Sequence, residues 1–179
     1  MKATGIVRRI DDLGRVVIPK EIRRTLKIRE GEALEIFTSD GGEVVFKKYS
    51  PVGETAEAAA KLCESIWRTT SVPVVVCDRD RVVAAAGTGR KELLGRSVSA
   101  ELERIMAERK AHRAASGAKT PAFADREGIY LLTAAPIVSD GDVTGCVAFV
   151  GDENARLQGD TELKLAGAAA AFLGRQTEV

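Results

Sequence analysis

Residues 2–19 have the sequence KATGIVRRIDDLGRVVIP, and residues 20–26 continue it with KEIRRTL. The β-branched residues predict a strand from Lys2 to Ile10, a turn over the Asp-Asp-Leu-Gly of residues 11–14, and a second short strand from Arg15 to Ile18. Pro19 ends that strand and suits the first position of a helix, because the N–H that proline lacks would have no partner there. We therefore expect a short helix from Pro19 to Leu26.

Two further strands complete an N-terminal module with the order β-β-α-β-β. Ala33 to Thr38 and Glu43 to Tyr49 flank the Ser-Asp-Gly-Gly of residues 39–42, a sequence typical of a hairpin turn. A module of about 50 residues buries too little apolar surface to offset about 1.5 kcal/mol of conformational entropy per ordered residue. It also contains no cysteine or histidine for a disulfide or a zinc site. We therefore expect a second copy of the chain to complete its core.

The basic residues of the chain are concentrated in this module. The whole chain has a net charge of +1, whereas residues 1–29 hold nine Lys or Arg against three acidic residues, a net charge of +6. This distribution predicts that the N-terminal end meets a polyanion. Guanidinium groups suit phosphate oxygens and the O6 and N7 acceptors of guanine. A twofold dimer would bring five arginines together with their mates, namely Arg8, Arg9, Arg15, Arg23 and Arg24.

The sequence from Lys2 to Pro19, together with Glu21 to Leu26, resembles the AbrB-like transition-state regulators of spore-forming bacteria. The resemblance implies an interleaved dimer, a swapped-hairpin β-barrel whose arginines contact double-stranded DNA at promoters. It implies a cytoplasmic, nucleoid-associated regulator of sporulation that activates some promoters and represses others in the forespore. Carried over by position, the DNA-contacting residues are Arg8, Arg15, Arg23 and Arg24, with Arg9 where the family has Arg or Lys, and with Lys2 and Lys20 as further candidates for phosphate contacts.

The residues after Tyr49 predict a second domain. Ser50-Pro51-Val52-Gly53 interrupts the strand pattern, so we expect a hinge over residues 51–55 between a DNA-binding domain of residues 1–50 and a regulatory domain of residues 56–179. The apolar patterns there predict helices over residues 54–69, 100–115 and 161–175 and strands over residues 72–77, 82–86, 129–137 and 143–150.

This order of elements resembles a GAF domain, a fold that senses small ligands, so the fold class expected for the whole chain is α+β. The Asn-Lys-x-x-x-Phe-x-x-x-Asp-Glu signature of GAF domains that bind cyclic nucleotides is absent. By analogy we expect a pocket that faces the sheet and an unidentified small-molecule effector, which would act by changing the spacing of the DNA-binding units. The sequence identifies no residue that lines this pocket.

The first and last helices of this domain carry apolar stripes, exemplified by Cys63 and Ile66 on the first and Leu165 and Phe172 on the last. Packing within one subunit explains such stripes, and so does a helical interface between dimers. In the second case the GAF-like domains would join two swapped dimers into a tetramer and raise the avidity for DNA.

Little in the sequence fits an enzyme, a metal site or a cofactor. The only histidine, His112, lies in a basic run without a nearby nucleophile, and no GxSxG or GK[ST] motif occurs. Gly87-Thr88-Gly89 lacks the third glycine of a dinucleotide-binding loop. Cys63, Cys77 and Cys146 are odd in number and form no CxxC pair, which fits a reducing cytoplasm.

Two alternative functions stay open. Bacterial antitoxins share the swapped-hairpin fold, but their acidic tail is usually disordered, whereas a chain of balanced charge and about 130 residues follows here. Some GAF domains reduce free methionine sulfoxide with clustered cysteines, but the cysteines here occupy predicted core positions. Membrane insertion is not expected, because the longest apolar run, Leu165 to Leu173, is half of the roughly 20 residues that a bilayer requires.

Overall fold

The computed structural model describes residues 4–155 and 160–177. The chain divides into two compact units, Met1–Tyr49 and Ser50–Val179. In the described part of the chain no helix is long and apolar enough to cross a membrane.

From residue 4 onward, the first regular structure of the N-terminal unit is a helix that begins at residue 20. Helix α1 spans Lys20–Thr25, and strands β1 (Leu34–Thr38) and β2 (Val44–Lys48) form an antiparallel hairpin. The turn of this hairpin closes because the Ser39 N–H donates to the carbonyl of Glu43 at 3.1 Å. The predicted helix and the predicted hairpin are thus confirmed.

The two strands predicted before α1 do not form within one chain. Residues 4–10 and 15–19 have no regular secondary structure, although the turn between them closes. A strand requires hydrogen-bonding neighbours, and the described residues of the same chain offer none to this segment. The swapped-hairpin barrel that the resemblance implies takes its strands from two chains, and no closed barrel occurs in the described part of this single chain.

In the described residues, the C-terminal unit contains one antiparallel sheet of five strands and five helices. Its helices are α2 (Pro51–Glu54), α3 (Ala56–Thr70), α4 (Arg90–Leu93), α5 (Ala100–Glu108) and α6 (Thr161–Gln176). Its strands are β3 (Val74–Asp78), β4 (Val82–Ala86), β5 (His112–Arg113), β6 (Tyr130–Ser139) and β7 (Asp142–Gly151). The order in the sheet is β4-β3-β7-β6-β5, and every neighbouring pair is antiparallel.

Both faces of this sheet are covered by helices. Alternate residues of a strand point to opposite faces, so Val74 and Val76 pack with Cys63 of α3 and Leu173 of α6, whereas Val75 packs on the other face. That second face is covered by α4 and α5 through Leu93, Leu102, Ile105 and Met106. The unit is therefore a three-layer α/β/α domain, as the GAF-like order predicts.

The hinge predicted over residues 51–55 is replaced in the structure by α2. Val52 is completely buried in the core formed with α3 and α6, which holds this segment on the domain. The hydroxyl of Ser50 accepts a hydrogen bond from the Gly53 N–H at 3.0 Å and donates one to Asp78 at 3.1 Å. A buried valine and a capped helix start explain why Pro and Gly do not produce a flexible linker here.

The helix predicted over residues 100–115 is shorter in the structure. It ends at Glu108 because Arg109 adopts a left-handed conformation with φ 55° and its N–H donates to the carbonyl of Met106. The chain then turns into β5, where His112 pairs with Ala134 of β6. Residues 110–115 thus belong to the sheet edge and the loops beside it instead of a helix.

Candidate nucleic-acid interface

The turn between the two N-terminal extended segments is closed by Asp11 and Arg15. The Asp11 N–H donates to the carbonyl of Arg15 at 3.1 Å, and the Gly14 N–H donates to the carbonyl of Asp11 at 3.0 Å. Gly14 has φ 75°, a left-handed conformation that glycine adopts without strain. The turn predicted over residues 11–14 is therefore confirmed.

The carboxylate of Asp11 organises the same turn. Its Oδ1 accepts the N–H groups of Leu13 at 3.1 Å and of Arg15 at 2.7 Å, and its Oδ2 accepts Nε of Arg15 at 2.8 Å. The hydrogen bonds from the Arg15 backbone and side chain lower the pKa of Asp11 below its ordinary value. The ionised carboxylate thus holds Arg15 by Nε, and the two terminal guanidinium nitrogens have no partner among the described residues.

The other predicted contact residues lie on two neighbouring segments. Arg8 and Arg9 are exposed in the segment before the turn, where Nη1 of Arg8 donates to the carbonyl of Val7 at 3.1 Å. Lys20 and Arg24 are exposed on α1, and Arg23 is half-buried there. The side chains of Arg9, Lys20, Arg23 and Arg24 form no ion pair among the described residues. Lys2 lies outside the described residues.

Two other cations of this unit have local partners. The carboxylate of Glu32 lies 3.3 Å from Nζ of Lys48, and it accepts the N–H of Arg29 at 2.8 Å. These contacts bind the segment after α1 to the hairpin. The predicted contact residues among the described ones differ from Arg29 and Lys48 in lacking these contacts to Glu32, and their contact with a polyanion stays a prediction.

Large apolar side chains of the N-terminal unit are exposed in the single chain. Val7 is 83% exposed, Val17 71% and Ile36 61%. Further exposed apolar residues are Ile10, Leu13, Val16, Leu26, Phe37, Val44 and Phe46. A soluble domain rarely exposes so many apolar side chains together, so this surface is typical of an unfilled interface.

The C-terminal unit holds the three cysteines in its core. Cys63, Cys77 and Cys146 are fully buried, and Cys77 lies opposite Cys146 in the β3–β7 register. Burial raises the pKa of the Cys63 and Cys146 thiols to about 12 and that of Cys77 well above its ordinary value. Protonated, inaccessible thiols are poor nucleophiles, so this arrangement does not suit sulfoxide reduction.

A cavity of about 510 Å³ lies at the β5 edge of the sheet. The loop of residues 113–119, Tyr130 and Leu132 of β6, and residues 152–155 line it. Nζ of Lys119 lies 3.0 Å from a carboxylate oxygen of Glu153 at its rim. The volume is in the range of small-molecule sites, although the cavity lies at the edge of the sheet and the face under α5 is filled by side chains. Among the described residues, no group of three or more His, Cys, Asp or Glu could hold a metal ion.

The contact of Asp11 with the guanidinium of Arg15 is a feature of this surface that the sequence analysis does not predict, because it places Asp11 in the turn alone. The signal is present in the sequence: an Asp and an Arg four residues apart, separated by a glycine, can meet across a tight turn.

A basic turn and helix in one unit and a three-layer GAF-like domain in the other are the combination expected of a class of proteins, the DNA-binding regulators that carry a GAF-like domain. Residues 54–178 match the family described as stage V sporulation protein T C-terminal, transcription factor. Residues 7–54 match the family described as antidote-toxin recognition MazE, bacterial antitoxin.

Whole-chain similarity extends this result. The chain is 46% identical over 180 residues to stage V sporulation protein T of Bacillus subtilis and covers 99% of both proteins. It is 52% identical over 68 residues to the transition state regulatory protein AbrB of the same organism, which spans 35% of this chain and 70% of that protein. The chain belongs to the stage V sporulation protein T family. It is a DNA-binding transcription regulator of sporulation and not an enzyme, and the antitoxin alternative is not favoured.

The fold of the C-terminal unit also occurs among solved structures. The GAF domain of a phosphoenolpyruvate-protein phosphotransferase from Acinetobacter matches with a TM-score of 0.51 and 12% identity, over 71% of this chain and 87% of that one. At this identity the similarity shows the fold alone. The GAF-like architecture expected from the order of elements is thereby confirmed.

Proposed function

We propose that two chains form a swapped dimer that grips promoter DNA through the arginines of the turn and of α1. The contacts fall to Arg8, Arg9, Arg15, Arg23 and Arg24, with Lys20 and Lys2 adding contacts to phosphate. The observation that carries the proposal is that the same short unit holds exposed apolar side chains together with Arg9, Arg23 and Arg24, which form no ion pair among the described residues. Pairing two chains would bury the exposed apolar side chains and would double the number of arginines on one assembly.

The physical balance supports this pairing. In its described residues, the unit has no buried residue in α1 and a single two-stranded sheet, so one copy has little to offset its conformational entropy. A second copy removes the exposed valines, isoleucines and phenylalanines from water without adding any new residue type. Ten guanidinium groups on one assembly then supply phosphate affinity and base contacts.

The arginine assignment is tested by Arg23→Ala in the full chain, with Arg79→Ala as the matched control. Arg79 is exposed in the turn between β3 and β4, has no ion pair among the described residues, and loses the same charge. A base contact by Arg23 is worth about 1–3 kcal/mol, and a phosphate contact would reduce the salt slope by about 1. Equal affinities of the two variants for a promoter fragment in a gel-shift titration would refute the assignment.

The regulatory domain, over residues 56–179, is proposed to join two dimers into a tetramer. Ala166, Ala169 and Leu173 on the inner side of α6 pack on the sheet, whereas Phe172 on its outer side is 48% exposed. Phe172 is therefore the residue of α6 proposed to lie in the interface between dimers. Sedimentation of the full chain should give a tetramer, and Phe172→Glu should give a dimer that still binds DNA. A full chain that sediments as a dimer would refute the tetramer.

The cavity at the β5 edge supports a small-molecule effector. Its polar rim and its floor of Tyr130 and Leu132 suit a compact ligand with both polar and apolar parts. A thermal-shift screen of the full chain against a metabolite library tests this, with Leu132→Trp to fill the cavity. A metabolite that stabilises both proteins equally would bind elsewhere.

The same regulator is proposed to activate some promoters and repress others, in the cytoplasm, on the nucleoid of the forespore. The resemblance to transition-state regulators supports these assignments. Transcript profiling of a deletion strain should find genes that rise and genes that fall, and a fluorescent fusion should colocalise with forespore DNA. A one-directional response would refute the dual role.

A further inference from the structure

Asp11 places a negative charge between Arg9 and Arg15, two of the arginines proposed to contact DNA. It forms an ion pair with Arg15 whose side chains are 69% exposed for Arg15 and 38% exposed for Asp11. Asp12, the next residue, is exposed and forms no hydrogen bond or ion pair among the described residues. The two neighbouring carboxylates thus differ in their contacts, because Asp11 accepts hydrogen bonds from the backbone of the turn and from an arginine that faces DNA in the proposed function.

Neither turn closure nor affinity explains why residue 11 is charged, because the oxygen of an asparagine could accept the N–H groups of Leu13 and Arg15 as well. Exposed ion pairs contribute little to the free energy of unfolding. A carboxylate near DNA opposes the binding of phosphates, because like charges repel and fewer counterions are released. A surface selected for affinity alone would gain by having a neutral residue at position 11.

The geometry suggests what is gained instead. An arginine free to rotate can place any of its nitrogens on a nearby phosphate. When Asp11 accepts Nε at 2.8 Å and the Arg15 backbone N–H at 2.7 Å, the guanidinium plane is fixed relative to the turn. Its two terminal nitrogens then form a fixed pair of donors, which matches the O6 and N7 acceptors on the major-groove edge of guanine.

We propose that Asp11 is a positioning residue that makes Arg15 selective for a base edge and disfavours its use on phosphate. The inference rests on the proposed contact between Arg15 and DNA. Asp11 itself does not touch DNA in this arrangement. It gives up non-specific affinity and increases the ratio of specific to non-specific binding, which is the quantity that decides occupancy in a genome.

The test compares Asp11→Asn with Asp12→Asn in the full chain. Each substitution removes one negative charge. Asn at position 11 keeps an oxygen for the N–H groups of Leu13 and Arg15, but its amide nitrogen replaces the Oδ2 that accepts Nε, so two donors face each other. The turn is preserved and the guanidinium is released.

Duplexes selected from a random pool by the wild-type chain provide the specific probe, and a scrambled duplex of equal length provides the non-specific one. Fluorescence anisotropy at two salt concentrations gives the dissociation constant of each. Both variants should bind the scrambled duplex more tightly because each loses one negative charge, and Asp11→Asn should do so by the larger factor because its Arg15 is also free to contact phosphate. The ratio of specific to non-specific affinity should fall about tenfold in Asp11→Asn and stay unchanged in Asp12→Asn.

The outcomes separate the inference from the proposed function. Equal ratios in the two variants would overturn the role of Asp11, since charge alone would then explain both. If Arg15→Ala leaves both dissociation constants unchanged, the contact of Arg15 with DNA is wrong, and the inference falls with it. If Asp11→Asn has a lower melting temperature than Asp12→Asn, the variant Arg15→Lys replaces it in the test. Lysine keeps the positive charge but lacks Nε and the paired terminal donors of arginine. If Arg15→Lys keeps the wild-type ratio of specific to non-specific affinity, the inference is overturned.

Discussion

The cysteines show how the position of a residue in the sheet decides its chemistry. With all three thiols fully buried and the pKa of Cys63 and Cys146 at about 12, thiolate is nearly absent at neutral pH. We expect the native chain not to react with DTNB at pH 8 and all three thiols to react after denaturation in guanidinium. One thiol that reacts rapidly in the native chain would contradict the burial and would revive sulfoxide reduction.

The same thiols predict how stability depends on pH. Their pKa in the folded chain lies above the ordinary value of 9.0, so folding favours the neutral form. Their contribution to the free energy of unfolding is complete below pH 9.0 and is lost as the pH rises toward about 12. Cys146→Ala should flatten the alkaline side of a denaturation profile measured with urea, and an unchanged profile would contradict the raised pKa.

Single residues of the DNA surface could be predicted from the sequence only in part. Residue type and the resemblance predict Arg8, Arg15 and Arg23, because guanidinium chemistry does not depend on the fold, and their contact with DNA stays a prediction. They do not predict the contact of Asp11, because the sequence specifies a turn but not which atom of Arg15 the carboxylate accepts. The role of an acidic residue in a basic segment can be inferred only when the group that it contacts is known.

At the scale of elements, the packing of α6 on β6 depends on a glycine. A Cβ on Gly174 would lie 2.3 Å from the carbonyl oxygen of Val138, whereas a Cβ on Gly167 of the same helix would meet no atom within 4 Å. Gly174→Ala should cost about 1–3 kcal/mol through displacement of the helix. Gly167→Ala should stabilise by up to about 1 kcal/mol, because alanine is the better helix former. Calorimetry of both variants checks the opposite signs, and equal shifts in melting temperature would contradict this packing.

The elements that the sequence predicts correctly are those with local causes. The strand over residues 82–86 coincides with β4, and the hairpin around residues 39–42 is where Gly and Asp predict it. The errors have tertiary causes. Val52 binds α2 to the core, the left-handed Arg109 ends α5, and the segments before α1 lack a partner in their own chain.

For the whole molecule, the swapped dimer predicts that a substitution at Val17, a residue exposed in the single chain, abolishes DNA binding. This side chain is 71% exposed in the single chain, so an aspartate there should be harmless in a monomer. In a dimer core, the same aspartate is an unpaired buried charge that costs more than about 3 kcal/mol. Val17→Asp should therefore abolish promoter binding, whereas Leu94→Asp, at a residue that is 41% exposed in the C-terminal unit, should leave it intact. Gel-shift titrations measure the affinity of both variants for a promoter fragment. Wild-type affinity in Val17→Asp would contradict the dimer.

The two units of the chain make different contributions to DNA binding, and truncation separates them. A fragment of residues 1–49 retains every described candidate contact, so in the proposed scheme it remains a dimer that binds DNA with one pair of surfaces. The full tetramer has two such pairs, and tethering them raises the affinity by about a hundredfold or more without any new contact. Sedimentation and titration of the fragment and the full chain against one promoter fragment measure both quantities. A fragment that binds as tightly as the full chain would remove avidity from the mechanism, and a folded but monomeric fragment would remove the shared core on which the arginine surface depends.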